Sequence, residues 1–258
     1  MQPETAGPSP LTVLRGHRRE AIPIVLAAAA GWTFLVWGAL DMQSPLARLM
    51  MPMSADWSAV NFAAVFVMWA VMMAAMMLPS ALPMLLTFAH LNRRAGTPGR
   101  TRSFAAAYVA IWSAFSVLAT ALQWVLQAAE LSNPMIVVTS PWLGAALLAI
   151  AGIFQFTPLK RACLHHCRTP MGFLLTDWRG GTGGAWTMGL RHGAYCLGCC
   201  WALMALLFVG GVMNILWIAA LAALVAAEKL MPRGERIAPA LGVILIGAGA
   251  VHLAWLLG

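Results

Sequence analysis

Two short stretches of the chain concentrate side chains that bind soft metals or exchange electrons. All five cysteines lie between residues 163 and 200. The first stretch, CLHHC, contains Cys163, His165, His166 and Cys167. If it is helical, Cys163, His166 and Cys167 share one face, because residues three and four apart are neighbours on a helix. This face would supply part of a metal site or one member of a thiol pair.

The second stretch, HGAYCLGCCWALM, interrupts an otherwise apolar segment. On a helix that turns about 100° per residue, His192, Cys196, Cys199 and Cys200 fall within an arc of roughly 100°. The remaining ligands of a metal site would have to come from another element. Both cysteine stretches are expected at or near the cytoplasmic side of the membrane, from the charge distribution described below. Thiols stay reduced there, which favours ligand or redox roles over structural disulfides. Plain packing stays open, since free cysteine is a common small buried residue.

A third stretch, VMWAVMMAAMMLPSALPM, is rich in methionine. Met72 and Met76 lie one turn apart, and Met73 and Met77 form a parallel row. Thioethers are soft and uncharged, so they can hold Cu(I) in a bilayer without burying a charge. Methionine also fills irregular cores, so packing is the alternative. The methionines and cysteines are expected at similar depth in the membrane, where the two clusters could face each other.

The composition predicts helices that position these groups inside a membrane. The chain has 258 residues, of which 61% are hydrophobic and only 9% are charged. A bilayer span takes about 20 apolar residues. We therefore predict an all-α polytopic membrane helix bundle of about seven transmembrane helices, in one domain over 21–258. A disordered cytoplasmic tail is expected at 1–20, and a cytoplasmic loop at about 158–185. The predicted spans are 21–40, 60–90, 104–129, 141–157, 186–208, 212–230 and 237–257.

The charges predict the orientation of this bundle. All but one of the 16 basic residues, Arg48 being the exception, fall before the first span or in or beside alternate loops. The positive-inside rule makes that side cytoplasmic, which places the N-terminus inside and the C-terminus outside. The net charge of +8 therefore indicates a lipid bilayer as partner and no nucleic acid. Glu228 and Lys229, at the end of the sixth predicted span, are interpreted as a structural ion pair or helix-end charges.

The chain resembles a bacterial family known as predicted metal-binding integral membrane proteins, classed as a domain of unknown function. The stretches MMAAMMLPSALPM, TPLKRACLHHCRTPMGF, HGAYCLGCCWALM and EKLMP carry the likeness, in this order between Val60 and Pro232. The resemblance implies metal binding and a multi-pass position in the bacterial inner membrane. It also implies functional residues, namely Cys163, Cys167, Cys196, Cys199, Cys200 and the Met72–Met77 group.

The leading hypothesis is binding of a soft transition metal, Cu(I), for transport or delivery, with zinc as the other metal considered. Sulfur donors outnumber imidazole and carboxylate, which favours Cu(I). A membrane or soluble metalloprotein is the expected partner. The alternatives are a membrane thiol oxidoreductase that uses Cys196 and Cys199, and a non-catalytic scaffold. Hydrolytic chemistry has no support, because no Ser/His/Asp order and no nucleotide fingerprint occurs, so an enzyme is the less favoured class.

Overall fold

The structure, a computed structural model, describes residues 18–94, 97, 99–133 and 135–257. These residues are mostly α-helical, and their β-type pairing is one isolated antiparallel bridge between Ser132 and Val138. The prediction of an all-α fold is therefore confirmed. Of the predicted tail, residues 1–17 lie outside the described residues. The helices are α1 (Arg18–Leu40), α2 (Pro45–Met50), α3 (Ala59–Arg94), α4 (Gly99–Ala128), α5 (Pro141–Phe154), α6 (Pro158–Arg168), α7 (Pro170–Asp177), α8 (Gly181–Ala205), α9 (Leu207–Gly210), α10 (Ile215–Leu230) and α11 (Gly234–Leu257).

Several helices are long and apolar enough to cross a membrane. Within the described residues these are Ala21–Leu40, Ala59–Arg93, Gly99–Ala128, Gly181–Gly210 and Gly234–Ala254. The number rises from five to six if α5 and α6, which meet at a 64° bend, form one broken span. Helix α10 has 16 residues, about 24 Å at 1.5 Å each, and a hydrocarbon core is about 30 Å thick. The count of seven spans and the sides of the termini therefore stay predictions.

Much of the segment expected to be a loop at about 158–185 is helical. Thr157 caps α6, because its hydroxyl accepts a hydrogen bond from Lys160 N at 3.2 Å, and Pro158 occupies the first helical turn. A second proline, Pro170, begins α7 two residues after α6 ends. The CLHHC stretch lies entirely on α6, so the helical condition for its shared face is met.

Helix α4 connects the methionine-rich and cysteine-rich parts of the fold. It packs against α3 on one side and against α8 on another. Its approach to α8 is close because two glycines there have no side chain. A Cβ at Gly189 would overlap Phe104 O, and one at Gly193 would lie 2.9 Å from Ile111 Cγ1. Small residues at such contacts let helix backbones approach each other.

Candidate metal-binding site

Thiols from two helices meet where α6 packs against α8. Cys167 Sγ of α6 lies 4.0 Å from Cys199 Sγ of α8. Cys196 and Cys200 lie on the same helix as Cys199, three residues before it and one residue after it. Cys196, Cys199 and Cys200 are at most 1% exposed, and Cys167 is half-buried. These four residues, called the thiol cluster below, bring together sulfur atoms that are far apart in the sequence.

Cys163 completes the packing of α6 on α8. Its side chain is 7% exposed, and a Cβ at Gly198 would lie 2.8 Å from its Sγ. Gly198 therefore leaves the space that the Cys163 thiol needs at this contact. Since Cys167 follows Cys163 by one helical turn, the same contact sets the position along α8 at which Cys167 packs.

The thiols are held by local hydrogen bonds. Cys199 Sγ and Cys200 Sγ donate to Cys196 O, at 3.1 Å and 3.0 Å. Such bonds to a carbonyl three or four residues earlier are a common way to satisfy a polar side chain within a helix. In the part of the chain that the structure describes, no three His, Cys, Asp or Glu side chains are arranged to hold a metal ion. A cation shared by these thiols would replace the protons that Cys199 and Cys200 donate to Cys196 O.

A buried lysine touches the thiol cluster. Lys229 Nζ lies 2.9 Å from Cys196 Sγ and donates to Ser80 Oγ at 3.3 Å. The residue is 6% exposed. An ammonium at this distance offsets the negative charge that a thiolate would carry, and the interaction is strong where water is excluded. Lys229 thus connects α10, the cysteines of α8 and the methionine-rich helix α3.

Tyr108 makes a second connection between these helices. Its hydroxyl lies 3.0 Å from Cys196 Sγ and 3.3 Å from Met77 O, and the side chain is 1% exposed. The sequence interpretation missed Tyr108 and did not connect Lys229 with the cysteines. A lysine at the end of an apolar span, in EKLMP, was the available signal for Lys229. Tyr108 is one of two tyrosines in the chain, a weak signal without the fold.

The four methionines proposed as ligands are all inside the core. Met72, Met73, Met76 and Met77 are at most 2% exposed, in the same buried cluster as the cysteines of α8. Lys229 and Tyr108 connect Cys196 with α3, through Ser80 and the Met77 carbonyl. The methionine side chains therefore share one buried core with the cysteines of α8, and their facing each other at similar depth stays a prediction.

The two histidines proposed as ligands have different surroundings. His192 is 2% exposed, and its Nδ1 has no hydrogen-bond partner. Three rings surround it, those of Phe104, Tyr108 and Phe173, with centroids 5.5–5.9 Å away. It lies on α8 one turn before Cys196, so a buried nitrogen is left near the thiols.

His166 is held at the edge of the cluster. Its ring stacks on Tyr195 with centroids 4.2 Å apart and an angle of 14° between the planes. Its Nδ1 lies 2.9 Å from Ala162 O, so a proton on Nδ1 would leave Nε2 as the nitrogen with a free lone pair. The residue is half-buried, which makes it the more accessible of the two histidines.

An ion pair fixes α6 against α10. Lys160 Nζ donates to Glu228 Oε2 at 2.6 Å, and both side chains are at most 1% exposed. Glu228 therefore pairs with Lys160 and not with its neighbour Lys229. Arg168 Nη1 donates to Glu228 O at 2.5 Å, and Arg168 Nη2 donates to Pro232 O at 3.1 Å. Arg168 directly follows Cys167, so these bonds also hold the α6 end of the thiol cluster.

Comparison with protein families identifies the family of this chain. A family model described as PpoB2, copper chaperone, matches residues 66–252, which is more than half of the chain. The chain belongs to the PpoB2 copper chaperone family. The PpoB2 match includes α6, α8, α10 and most of α3, and thus all four thiols and Lys229. No curated protein and no solved structure shows a significant match to this PpoB2 member.

Proposed function

We propose that this PpoB2-family protein binds Cu(I) at the thiol cluster and delivers it from within the membrane. The observation that carries the proposal is the 4.0 Å separation of Cys167 Sγ and Cys199 Sγ, which come from different helices. A metal–thiolate bond is about 2.3 Å long, so two thiolates on one ion lie about 4 Å apart. Membership in a copper chaperone family indicates copper as the metal, and in this proposal copper is the cargo.

The donor set favours Cu(I) over harder or borderline ions. Thiolate and thioether sulfur are soft ligands that suit Cu(I). The buried carboxylate of Glu228 is engaged by Lys160 and does not serve the thiols. Zinc is less well matched, because the donors around the thiols are the thioethers of α3 and the imidazole of His192, with no carboxylate available from Glu228.

Loading the ion requires two local changes. Two thiols must lose their protons, since the thiolate is the form that binds metal. Once deprotonated, Cys199 and Cys200 lose the weak hydrogen bonds that their thiols donate to Cys196 O. A Cu(I) ion with two thiolates has a net charge of −1, and the Lys229 ammonium offsets it. The positive charge of Lys229 makes this anionic complex tolerable in the interior.

The methionines and histidines extend this site. Met72, Met73, Met76 and Met77 offer neutral donors along α3, which suits an ion in passage more than one held tightly. His192 would bind through its unpartnered Nδ1, and His166 through Nε2 at the half-buried edge. Cys163 would keep α6 in place on Gly198. These roles extend the proposal from the four thiols to the whole set of candidate residues.

The proposal includes the location of the protein in the membrane and its partner. The chain lies in the bacterial inner membrane as a multi-pass protein, with its basic loops and N-terminus in the cytoplasm and its C-terminus outside. The partner is a metalloprotein, in the membrane or soluble, that takes Cu(I) by ligand exchange. Such exchange needs no catalytic residue.

Copper binding by the purified full-length protein tests this function. Under reducing conditions, we expect near-stoichiometric Cu(I) that competes with a chromophoric Cu(I) chelator. The variants Cys167→Ser and Cys199→Ser/Cys200→Ser should lose most of it. Cys163→Ser is the matched control, because Cys163 lies on α6 one turn before Cys167 and against Gly198. A wild-type protein that stays metal-free after loading, or an equal loss in Cys163→Ser, would contradict the assignment.

The thiol oxidoreductase stays a second candidate because of the same 4.0 Å pair. Two thiols at this distance need only a small approach to form a disulfide. The cysteines of α8 are buried, however, which limits access of a thiol substrate. A disulfide that cycles with a reductant during turnover, in a protein that binds no copper, would favour this alternative.

A further inference from the structure

The end of the fold opposite the basic loops has a cavity lined by methionine. The cavity has a volume of about 590 Å³ and lies between the segment after α1 and the segment after α4. Its lining within the described residues is Met42, Gln43, Arg48, Met51, Met53, Asn133 and Met135. Four of these seven side chains are thioethers, and all four lie outside the stretches that first suggested metal binding.

The methionines of this cavity are not buried as core packing. Met53 is 79% exposed, Met135 is 45% exposed and Met42 is 38% exposed, whereas Met51 is 8% exposed. A methionine that fills a core gap is normally enclosed. Single exposed apolar residues are ordinary, but here three open thioethers and one nearly buried thioether line the same space. The cavity therefore presents several soft donors at once.

The lining chemistry selects the ligand. Among the described residues that line the cavity, none is a cysteine, a histidine or a carboxylate. Neutral thioethers suit Cu(I) and are poor ligands for zinc, calcium or magnesium. The guanidinium of Arg48 donates to Gln43 Oε1 at 2.8 Å, and its charge lowers the affinity for any cation. The expected site is thus specific for a soft monovalent ion and weaker than the thiol cluster.

Methionines also lead from this cavity into the core. Met51 lines a second, much smaller cavity as well, together with Met50, Met68 and Met213. Met68 begins the row on α3 that continues through Met72 and Met76, with about 6 Å of helix rise between successive members. The row ends close to Met77, whose carbonyl accepts from the Tyr108 hydroxyl that contacts Cys196.

We propose that the Met42, Met51, Met53 and Met135 cavity is a second Cu(I) site, exposed at the outer end, that exchanges ions with the thiol cluster along the methionines of α3. This inference rests on the proposed copper function, because movement of Cu(I) from the cavity to the thiol cluster requires that the thiols bind Cu(I). Neutral donors at the outer end and thiolates at the inner end make affinity increase inward. Met42, Met51 and Met53 precede residue 66, where the family match begins, so that match does not include them.

Protection from oxidation tests the site on the unaltered full-length protein. The probe is Ag(I), a soft monovalent ion without redox chemistry of its own, and the oxidant is dilute hydrogen peroxide. Sulfoxide formation at each methionine is followed by peptide mass spectrometry. Bound Ag(I) should slow oxidation of Met42, Met53 and Met135 at least fivefold. Met171 and Met231, which are 50% and 53% exposed but outside the cavity, serve as controls and should oxidise at an unchanged rate.

A variant separates the two sites. Met42→Leu/Met53→Leu/Met135→Leu should lose a weaker class of Cu(I) binding and keep the tight class, while Cys199→Ser/Cys200→Ser should do the opposite. Met171→Leu/Met231→Leu is the matched control. Unchanged binding in the triple variant, or equal protection at all exposed methionines, would overturn the outer site. If Cys199→Ser/Cys200→Ser also keeps the tight class of Cu(I) binding, the thiol cluster is overturned and the outer site stands.

Discussion

Lys229 Nζ lies 2.9 Å from Cys196 Sγ, in a position where the lysine is 6% exposed. The contact joins the end of α10 to the middle of α8. A buried ammonium needs a partner, because an unpaired charge in the interior is costly. Here the partner is a thiol, and Ser80 and the Tyr108 hydroxyl complete the surroundings. The arrangement makes the lysine part of the metal-binding proposal.

Replacing Lys229 should weaken Cu(I) binding. In Lys229→Met the ammonium that offsets the copper–thiolate charge is lost. A hydrogen bond to a charged group contributes about 1.5–3 kcal/mol, so the affinity should fall about 10- to 100-fold. Lys229→Arg keeps the charge and should lose less. Competition with a Cu(I) chelator measures both variants. A Lys229→Met protein with wild-type affinity would show that the lysine has only a structural role.

Mild oxidation should link α6 to α8. With diamide as the acceptor of two electrons and two protons, the Cys167 and Cys199 thiols should form a disulfide, since they start 4.0 Å apart. Prior loading with Cu(I) should prevent it. Peptide mass spectrometry identifies the bond, and Cys163→Ser should still form it whereas Cys167→Ser should not. A Cys196–Cys199 disulfide as the main product would contradict the pairing of Cys167 with Cys199.

Breaking the buried ion pair should destabilise the protein strongly. Lys160→Met leaves Glu228 buried without its partner, and Glu228 Oε1 already has no hydrogen bond. The expected cost is about 3–5 kcal/mol of the free energy of unfolding. The double variant Lys160→Met/Glu228→Leu should recover most of this loss. Thermal unfolding in detergent provides the measurement, and additive losses in the double variant would contradict the pairing.

A side chain at Gly198 should disturb the thiol cluster. In Gly198→Ala the new Cβ would lie 2.8 Å from Cys163 Sγ, so α6 must move away from α8 or the thiol must turn. Such overpacking costs about 1–3 kcal/mol and should also lower Cu(I) affinity, since Cys167 moves with α6. Gly183→Ala is the control on the same helix, because a Cβ there meets nothing within 4 Å. Equal unfolding temperatures and affinities for the two variants would disprove this packing role.

Local sequence patterns determined the helical class and the soft donors. Apolar runs of about 20 residues predict membrane-length helices, because backbone groups in lipid must bond within the segment. The spacing in CLHHC and HGAYCLGCCWALM placed the donors on helix faces, since helical geometry is local. The copper chaperone family agrees with the metal that these sulfur donors indicate.

Only the tertiary structure decided which donors meet. The contact of Cys167 with Cys199, and those of Lys229 and Tyr108 with Cys196, join residues 32 to 88 positions apart. No spacing rule reaches that far, because such contacts depend on how helices pack. Side-chain-free positions at Gly189 and Gly198, and the bend between α5 and α6, set that packing. Tertiary packing likewise brings Met42, Met51, Met53 and Met135 to one cavity, from the segments that follow α1 and α4.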